Sequence, residues 1–436
     1  MIKRVLLMPF RFMLHPWAYF DVLISMMLQT SVIMRMYHRL IVPLIVRRIR
    51  RKGSADVVFV AMYPDMWRYD GVFKRLQADE RFHPYVVVGV RKGSLKVLGS
   101  ADQEASIEFF SKRGYKVVPG YDAQRMSWRK LKTLKPDIVF YTQPYDGSTG
   151  DSLEFRTNWR SLFCYAPYSF QMSKSQWNWN NPLQNYCWRH YLMGRYQSDV
   201  CREFSIIKAE NAAMVGYCLE EELVCDANHK SESDVAWHHD RRRRVIWAPH
   251  HSILEIEMFK VSAFLEIAEL MVALRKEYED RIVFAFKPHP VLKPKLYKIW
   301  GQERTDAYYR GWAEADNSFD AQGSYQSLFS GSDAMIHCSG SFIVEYLYTN
   351  KPVQYVYART RTPPDLGEIG DAALGAHYPA HSALDIRKFL DEVVLGGKDT
   401  MKQSREEVAA KYLKSPNGKM FSENVYNDLV KSLGWS

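Results

Sequence analysis

The sequence predicts an α/β protein of two doubly wound, Rossmann-like domains facing a cleft, preceded by a basic, amphipathic helical segment. Three observations predict it. Short apolar runs rich in Val, Ile and Phe alternate with amphipathic stretches, the pattern of parallel strands buried on both faces and joined by helices. The pattern occurs in two series, 55–142 and 245–357, with a polar stretch between them. Residues 1–52 stand apart, carrying ten Lys/Arg against the single acid Asp21. The expected division is 1–52, 53–232 and 233–436.

The leading segment is apolar as well as basic. Between Trp17 and Met34 the polar residues Asp21, Ser25 and Gln29 recur at i, i+4, a narrow polar stripe on one helix face. Pro43 is expected to break or kink the helix. The cluster Arg47, Arg48, Arg50, Arg51 and Lys52 follows. A signal peptide needs a small-residue cleavage site, and none is clear. A spanning helix is conceivable, since 18 residues reach roughly 27 Å. A monotopic helix pair at an anionic membrane surface fits the stripe, the aromatic start and the arginines better. A helix buried in the body is the remaining reading, and the arginines argue against it.

In the first series, 55–62, 84–90, 115–118 and 137–142 read as strands, and 70–79, 102–113 and 127–134 as helices. From 145 to 200 the sequence is irregular and rich in Trp, Tyr and Asn, and a short strand returns at 212–217. The polar stretch 220–240 holds the domain boundary. In the second series 245–248, 281–286, 333–337 and 352–357 read as strands. The segments 255–278, 325–330 and 342–348 read as helices, as does most of the tail from Leu384.

The formal charge of +10 would suggest a polyanion binder, but the 384 residues after the leader hold 49 basic and 48 acidic side chains. A nearly neutral body argues against nucleic acid and for a local contact with an anionic surface. The six cysteines form no CxxC pair and are too sparse for a disulfide scaffold, so a reducing cytoplasm is the simpler setting.

Three loops at predicted strand ends carry the chemistry, since ligands of such sheets bind at the carboxyl ends of strands. The first is Pro249-His250-His251-Ser252. The second is Lys287-Pro288-His289-Pro290, whose prolines fix the backbone on both sides of an imidazole. The third is His337-Cys338-Ser339-Gly340-Ser341, leading into a helix that contains Glu345. Small polar residues at a helix N-terminus suit a phosphate. Each loop alone has a structural explanation, such as Ser339 or Ser341 capping the helix. Four histidines could also make a zinc site. No carboxylate accompanies them in these loops, and the chain has no Asp-x-Asp pair, P-loop or Gly-x-Gly-x-x-Gly, so no metal or cofactor is expected.

These loops, with Lys351-Pro352-Val353 and Met214-Val215-Gly216-Tyr217, resemble the CDP-glycerol glycerophosphotransferase family of cell-envelope polymer synthesis. The likeness is good over roughly 210–360 and loose before it. It implies a GT-B-like fold and a monotopic enzyme at the cytoplasmic face of the cell membrane. Such an enzyme transfers a polyol phosphate from a CDP-linked donor to a glycan or lipid-linked polymer acceptor and releases CMP. Carried over, His289 matches the family's donor-side histidine, Ser339 to Ser341 its phosphate loop, and Glu345 an acid holding the donor ribose. Lys287 and His337 flank these positions as donor-binding candidates.

The chain also departs from the family. Asp and Tyr are missing from the serine loop, and Cys164-Tyr165-Ala166-Pro167-Tyr168 stands where a Trp-His-Gly histidine would serve as acceptor base. His250 or His251 is then the candidate base, with Asp65 and Asp70 as further options. The alternatives are a glycosyltransferase using a nucleotide sugar, or an inactive membrane scaffold. The oligomeric state is left open.

Overall fold

The computed structural model describes residues 31–62, 64–89, 101–122, 124–144, 153–155, 158–224, 237–238, 240–254, 261–321, 325–359 and 366–435. The first series folds as β1 (Ala55–Ala61), β2 (Phe82–Val88) and β3 (Val117–Pro119), then a small antiparallel hairpin of β4 (Tyr121–Asp122) and β5 (Ser127–Trp128). It continues with β6 (Ile138–Tyr141), β7 (Leu162–Tyr165), β8 (Arg189–Leu192) and β9 (Ala212–Met214). Apart from the hairpin these strands make one parallel sheet in the order β3-β2-β1-β6-β7-β8-β9. The apolar run of β1 is central because it can be buried on both faces: Val57 to Ala61 are fully buried, and Phe59 stacks on Phe140 of β6 at 4.7 Å.

The second series supplies β10 (Arg243–Ala248), β11 (Ile282–Phe286), β12 (Ser318–Asp320), β13 (Ala334–His337), β14 (Val353–Val356) and β15 (Tyr378–Ala380). They form a parallel sheet in the order β12-β11-β10-β13-β14-β15. Each sheet therefore starts in its middle and winds first one way, then the other. The reversal opens a crevice at the carboxyl ends of β1 and β6 in one sheet and of β10 and β13 in the other. One buried apolar cluster joins both sheets, including Phe59 and Val86 of the first and Met335 and Val353 of the second.

Several expectations change. The irregular stretch 145–200 contains β7 and β8, which at four residues each give too little alternation to detect. The expected helix at 127–134 is the strand β5 followed by a single turn, Leu131–Leu134. Helix 255–278 is observed as Phe264–Glu277, and residues 255–260 lie outside the described residues. The last helix, Phe421–Leu433, lies in the stretch expected to form the second domain but packs on the first, where Arg189 pairs with Asp428 at 2.8 Å.

The leading segment differs from expectation in the packing of its described part. Residues 1–30, including the polar stripe Asp21, Ser25 and Gln29, lie outside the described residues. The part that is described, 31–52, does not stand off the body. A helix at Ser31–Met36, a π turn at Tyr37–Ile41 and a helix at Val42–Lys52 run on without a break. Pro43 directly follows the π turn, where the Val42 N–H bonds the Tyr37 carbonyl, so the helix continues past it instead of breaking. Met34, Val42, Ile45 and Ile49 are buried in the body. Three of the cationic residues expected at a membrane work internally instead. Arg48 and Lys52 both bond the Asp137 carboxylate, at 2.9 and 2.8 Å, and Arg50 donates to the carbonyl of Leu433. Among the described residues no helix is long and apolar enough to cross a membrane.

Candidate functional site

The two crevices face each other across a cleft of about 940 Å³. Its second-domain wall takes Ala248 and Pro249 from the end of β10, Lys287 to Pro290 after β11, and Ser339 and Ser341 after β13, whereas His250 and His251 are not among its lining residues. Strand pairing brings them together, since β11 and β13 flank β10. The loops are also tied by backbone bonds, from the His289 N–H to the Pro249 carbonyl at 3.1 Å and from the Lys287 N–H to that of Trp247 at 2.8 Å.

His250, His251 and His289 form one cluster. Ring centroids lie 4.3 Å apart for His250–His251, 4.2 Å for His251–His289 and 5.4 Å for His250–His289. One nitrogen from each falls within 4.8 Å of the others, close enough to ligate a common ion.

The hydrogen bonds around the rings define a different chemistry. Ser252 Oγ accepts the N–H groups of Val261 and Ser262, so its own proton goes to His250 Nδ1 at 2.9 Å. The Lys295 ammonium donates to His251 Nδ1 at 2.7 Å, and the Val291 N–H donates to His289 Nδ1 at 3.2 Å. Each Nδ1 is an acceptor, so each neutral ring carries its proton on Nε2. Burial, helped by His251, His289 and Lys295, holds the His250 pKa well below its usual value, so that ring is neutral. Three Nε2–H donors beside a lysine suit a phosphate better than a cation. The same bonds remove His250 and His251 as acceptor bases, because the proton a base must take up is already on Nε2.

The serine loop is only partly as expected. Ser339 and Ser341 line the cleft, but Gly340 is buried between them and its carbonyl takes the Ile343 N–H. The helix behind is one α turn, Phe342–Glu345, continuing as a 3-10 turn, so its dipole is small. His337 is fully buried and takes no place on the cleft wall. Its Nδ1 accepts the Ser339 N–H at 3.1 Å, so it holds the loop instead of a donor.

Glu345 lines the cleft floor but is fully buried, and its oxygens are engaged. They accept Tyr217 Oη at 2.6 Å, Tyr325 Oη at 2.9 Å and the Phe170 N–H at 3.3 Å. Phe170 and Tyr217 precede the crossing between domains and Tyr325 follows it. The carboxylate therefore clamps the domains together, and the expected ribose contact is not available to it in this arrangement.

The first-domain wall was largely missed from sequence. Trp67, Arg68, Asp70, Lys74, Arg113 and Tyr168 line it. Arg68 is held by the Tyr168 carbonyl at 3.0 Å and the Trp67 carbonyl at 2.8 Å. The position of Trp67 and Arg68 just past β1 was the available signal, by the strand-end rule that located the histidines. Asp70 is tied to the Tyr115 hydroxyl and to Lys74. The Asp65 side chain lies outside the described residues.

Two parallel doubly wound sheets with a nucleotide-sized cleft between their carboxyl ends define a GT-B-type fold. The similar solved structures agree. The wall teichoic acid polymerase TagF superposes with a TM-score of 0.58 at 12% identity, covering 93% of this chain and 98% of that one. The UDP-GlcNAc 2-epimerase from Neisseria meningitidis bound to UDP-GlcNAc gives 0.54 at 12%, with 86% and 99% covered. S. aureus MnaA with UDP gives 0.51 at 13%, with 88% and 98% covered. No family model and no curated protein matches the sequence.

Proposed function

We propose that the chain is a membrane-associated transferase. It moves a polyol phosphate, glycerol phosphate on the sequence resemblance, from a CDP-linked donor to a hydroxyl of a cell-envelope glycan or polymer, and CMP leaves. The observation that carries this reading is His289, an Nε2–H donor, sharing the cleft wall with Lys287, Ser339 and Ser341 at the β10/β13 reversal, with His250 and His251 packed against it. That constellation suits a diphosphate. The acceptor oxygen attacks the phosphorus next to the polyol, the new O–P bond forms, and the bond to the CMP oxygen breaks. His289 stabilises the leaving phosphate by hydrogen bonding and the serine hydroxyls hold the other. Positioning and charge stabilisation supply most of the catalysis. The donor needs no resident metal in this scheme.

The outward face of the leading helix supports the membrane part. Val32, Met36, Leu40 and Leu44 are exposed at 64, 52, 57 and 62% and recur every fourth residue. Arg39, Arg47 and Arg51 are exposed on the same segment. The opposite face is fixed in the body, so the stripe is held in one orientation, as contact with an anionic leaflet would need.

A second reading, transfer from a nucleotide sugar, is favoured by the UDP-GlcNAc 2-epimerase neighbour bound to UDP-GlcNAc. The released nucleotide separates the two. CMP from CDP-glycerol supports the proposal, UDP or GDP from a nucleotide sugar replaces it with the second reading, and no turnover of any donor leaves the scaffold.

A further inference from the structure

The transfer step requires a group that takes the acceptor's proton, and the histidines of the cluster are donors. We infer that Glu222 is this base; the inference rests on the transfer reading above. Four carboxylates line the cleft: Asp70, Glu221, Glu222 and Glu345. Three are committed. Asp70 accepts from Tyr115 and pairs with Lys74. Glu221 accepts the Ser422 N–H at 2.7 Å. Glu345 holds Tyr217, Tyr325 and Phe170. The Glu222 carboxylate makes no hydrogen bond or ion pair among the described residues. It lies on the short helix Glu220–Val224, where the chain leaves the first domain, in the cleft that His289, Ser339 and Ser341 line from the second.

The ionisable surroundings favour a base. Arg68 and Asp70 face Glu222 from the segment after β1, Arg113 and Tyr115 from the segment before β3, and Glu221 and Cys218 from its own stretch. The segments packed on its helix, Gln326–Gly331 and Tyr346–Thr349, bring Tyr346 and Tyr348 but no acid, Lys or Arg. Burial raises the Glu222 pKa, as do Asp70 and Glu221, against the pull of Arg68 and Arg113. A carboxylate so placed is a stronger base than a solvated one.

The step balances. The acceptor O–H proton passes to a Glu222 oxygen and the freed electron pair forms the new O–P bond. The bond between the polyol phosphorus and the CMP oxygen breaks with its electrons on CMP. Glu222 then returns its proton to water.

The test uses the full chain with CDP-glycerol as donor and a synthetic glycerol phosphate oligomer as acceptor, following CMP release. Glu222→Gln is expected to lower kcat about 100- to 10,000-fold while donor-induced thermal stabilisation stays as in the wild type. Glu222→Asp is expected to recover part of kcat with the acid limb of its pH profile displaced. This displacement separates a base from a structural carboxylate and remains measurable if the Gln variant folds poorly. Wild-type-like kcat in Glu222→Gln, or an unmoved acid limb in Glu222→Asp, overturns the inference alone. A wild-type chain that neither binds nor turns over CDP-, UDP- or GDP-linked donors overturns the transfer reading and the inference with it.

Discussion

At the residue scale the account depends on where protons sit. His289 donates through Nε2 because the Val291 N–H already occupies Nδ1. Replacing it by Ala is expected to cost about 100- to 1000-fold in kcat, the usual loss for one stabilising donor, with the thermal midpoint nearly unchanged. Near wild-type turnover in the purified variant would remove His289 from the chemistry. Glu345 behaves differently, because its partners belong to both domains. Glu345→Ala leaves two buried tyrosine hydroxyls without an acceptor and is expected to destabilise the fold by about 2–4 kcal/mol in urea titrations. The sequence revealed the histidines and serines as unusual residues at strand ends. It could not reveal that Glu345 is spent as a clamp or that His337 is turned away from the cleft. Both facts depend on partners more than a hundred residues away, or on a side chain's choice of face.

At the element scale the strands were legible where they are long and apolar, as in β1, β10 and β11. The strands β7 and β8 were not, because four residues inside an aromatic, polar stretch carry no clear period. The leading helix shows how a correct composition can mislead. Its arginines argued against burial, yet Arg48 and Lys52 satisfy the buried Asp137 while Arg47 and Arg51 face outward. Two kinds of variant separate these roles. Leu40→Asp with Leu44→Asp is expected to abolish flotation with anionic vesicles and leave the urea midpoint almost unchanged. Asp137→Ala is expected to lower stability by about 1–2 kcal/mol, because the Asp56 N–H loses its acceptor while water takes over the two half-exposed cations. Continued flotation of the double Leu variant would place the membrane contact elsewhere.

At the scale of the whole molecule, the histidines give the fold an acid limit. Burial lowers the His190 pKa to about 3 and the His377 pKa to about 4, and His250 and His337 shift the same way. The unfolded chain binds these protons below pH 6.5 and the folded chain does not, so stability falls as pH drops from 6.5 toward 4. For each of His190 and His377 the loss at pH 5 is about 2 kcal/mol. Calorimetry from pH 7 to pH 5 should show a steep fall in the thermal midpoint. A flat profile would mean that these rings are solvated. The two-sheet architecture was legible from the alternation of strands and helices. The return of the last helix to the first domain was not, since nothing in an amphipathic tail says which sheet it covers.

The central claim, that the paired crevices bind a CDP-linked polyol donor through the histidine and serine loops, is tested most directly by thermal unfolding. CDP-glycerol, UDP-GlcNAc and a GDP-sugar are each added to the wild-type chain and to His289→Ala. The account predicts that CDP-glycerol at a hundred times its Kd stabilises the wild type by about 2.7 kcal/mol, that the other donors do so far less, and that the shift shrinks in the variant. Stabilisation by UDP-GlcNAc alone, or by none of the three, would contradict it.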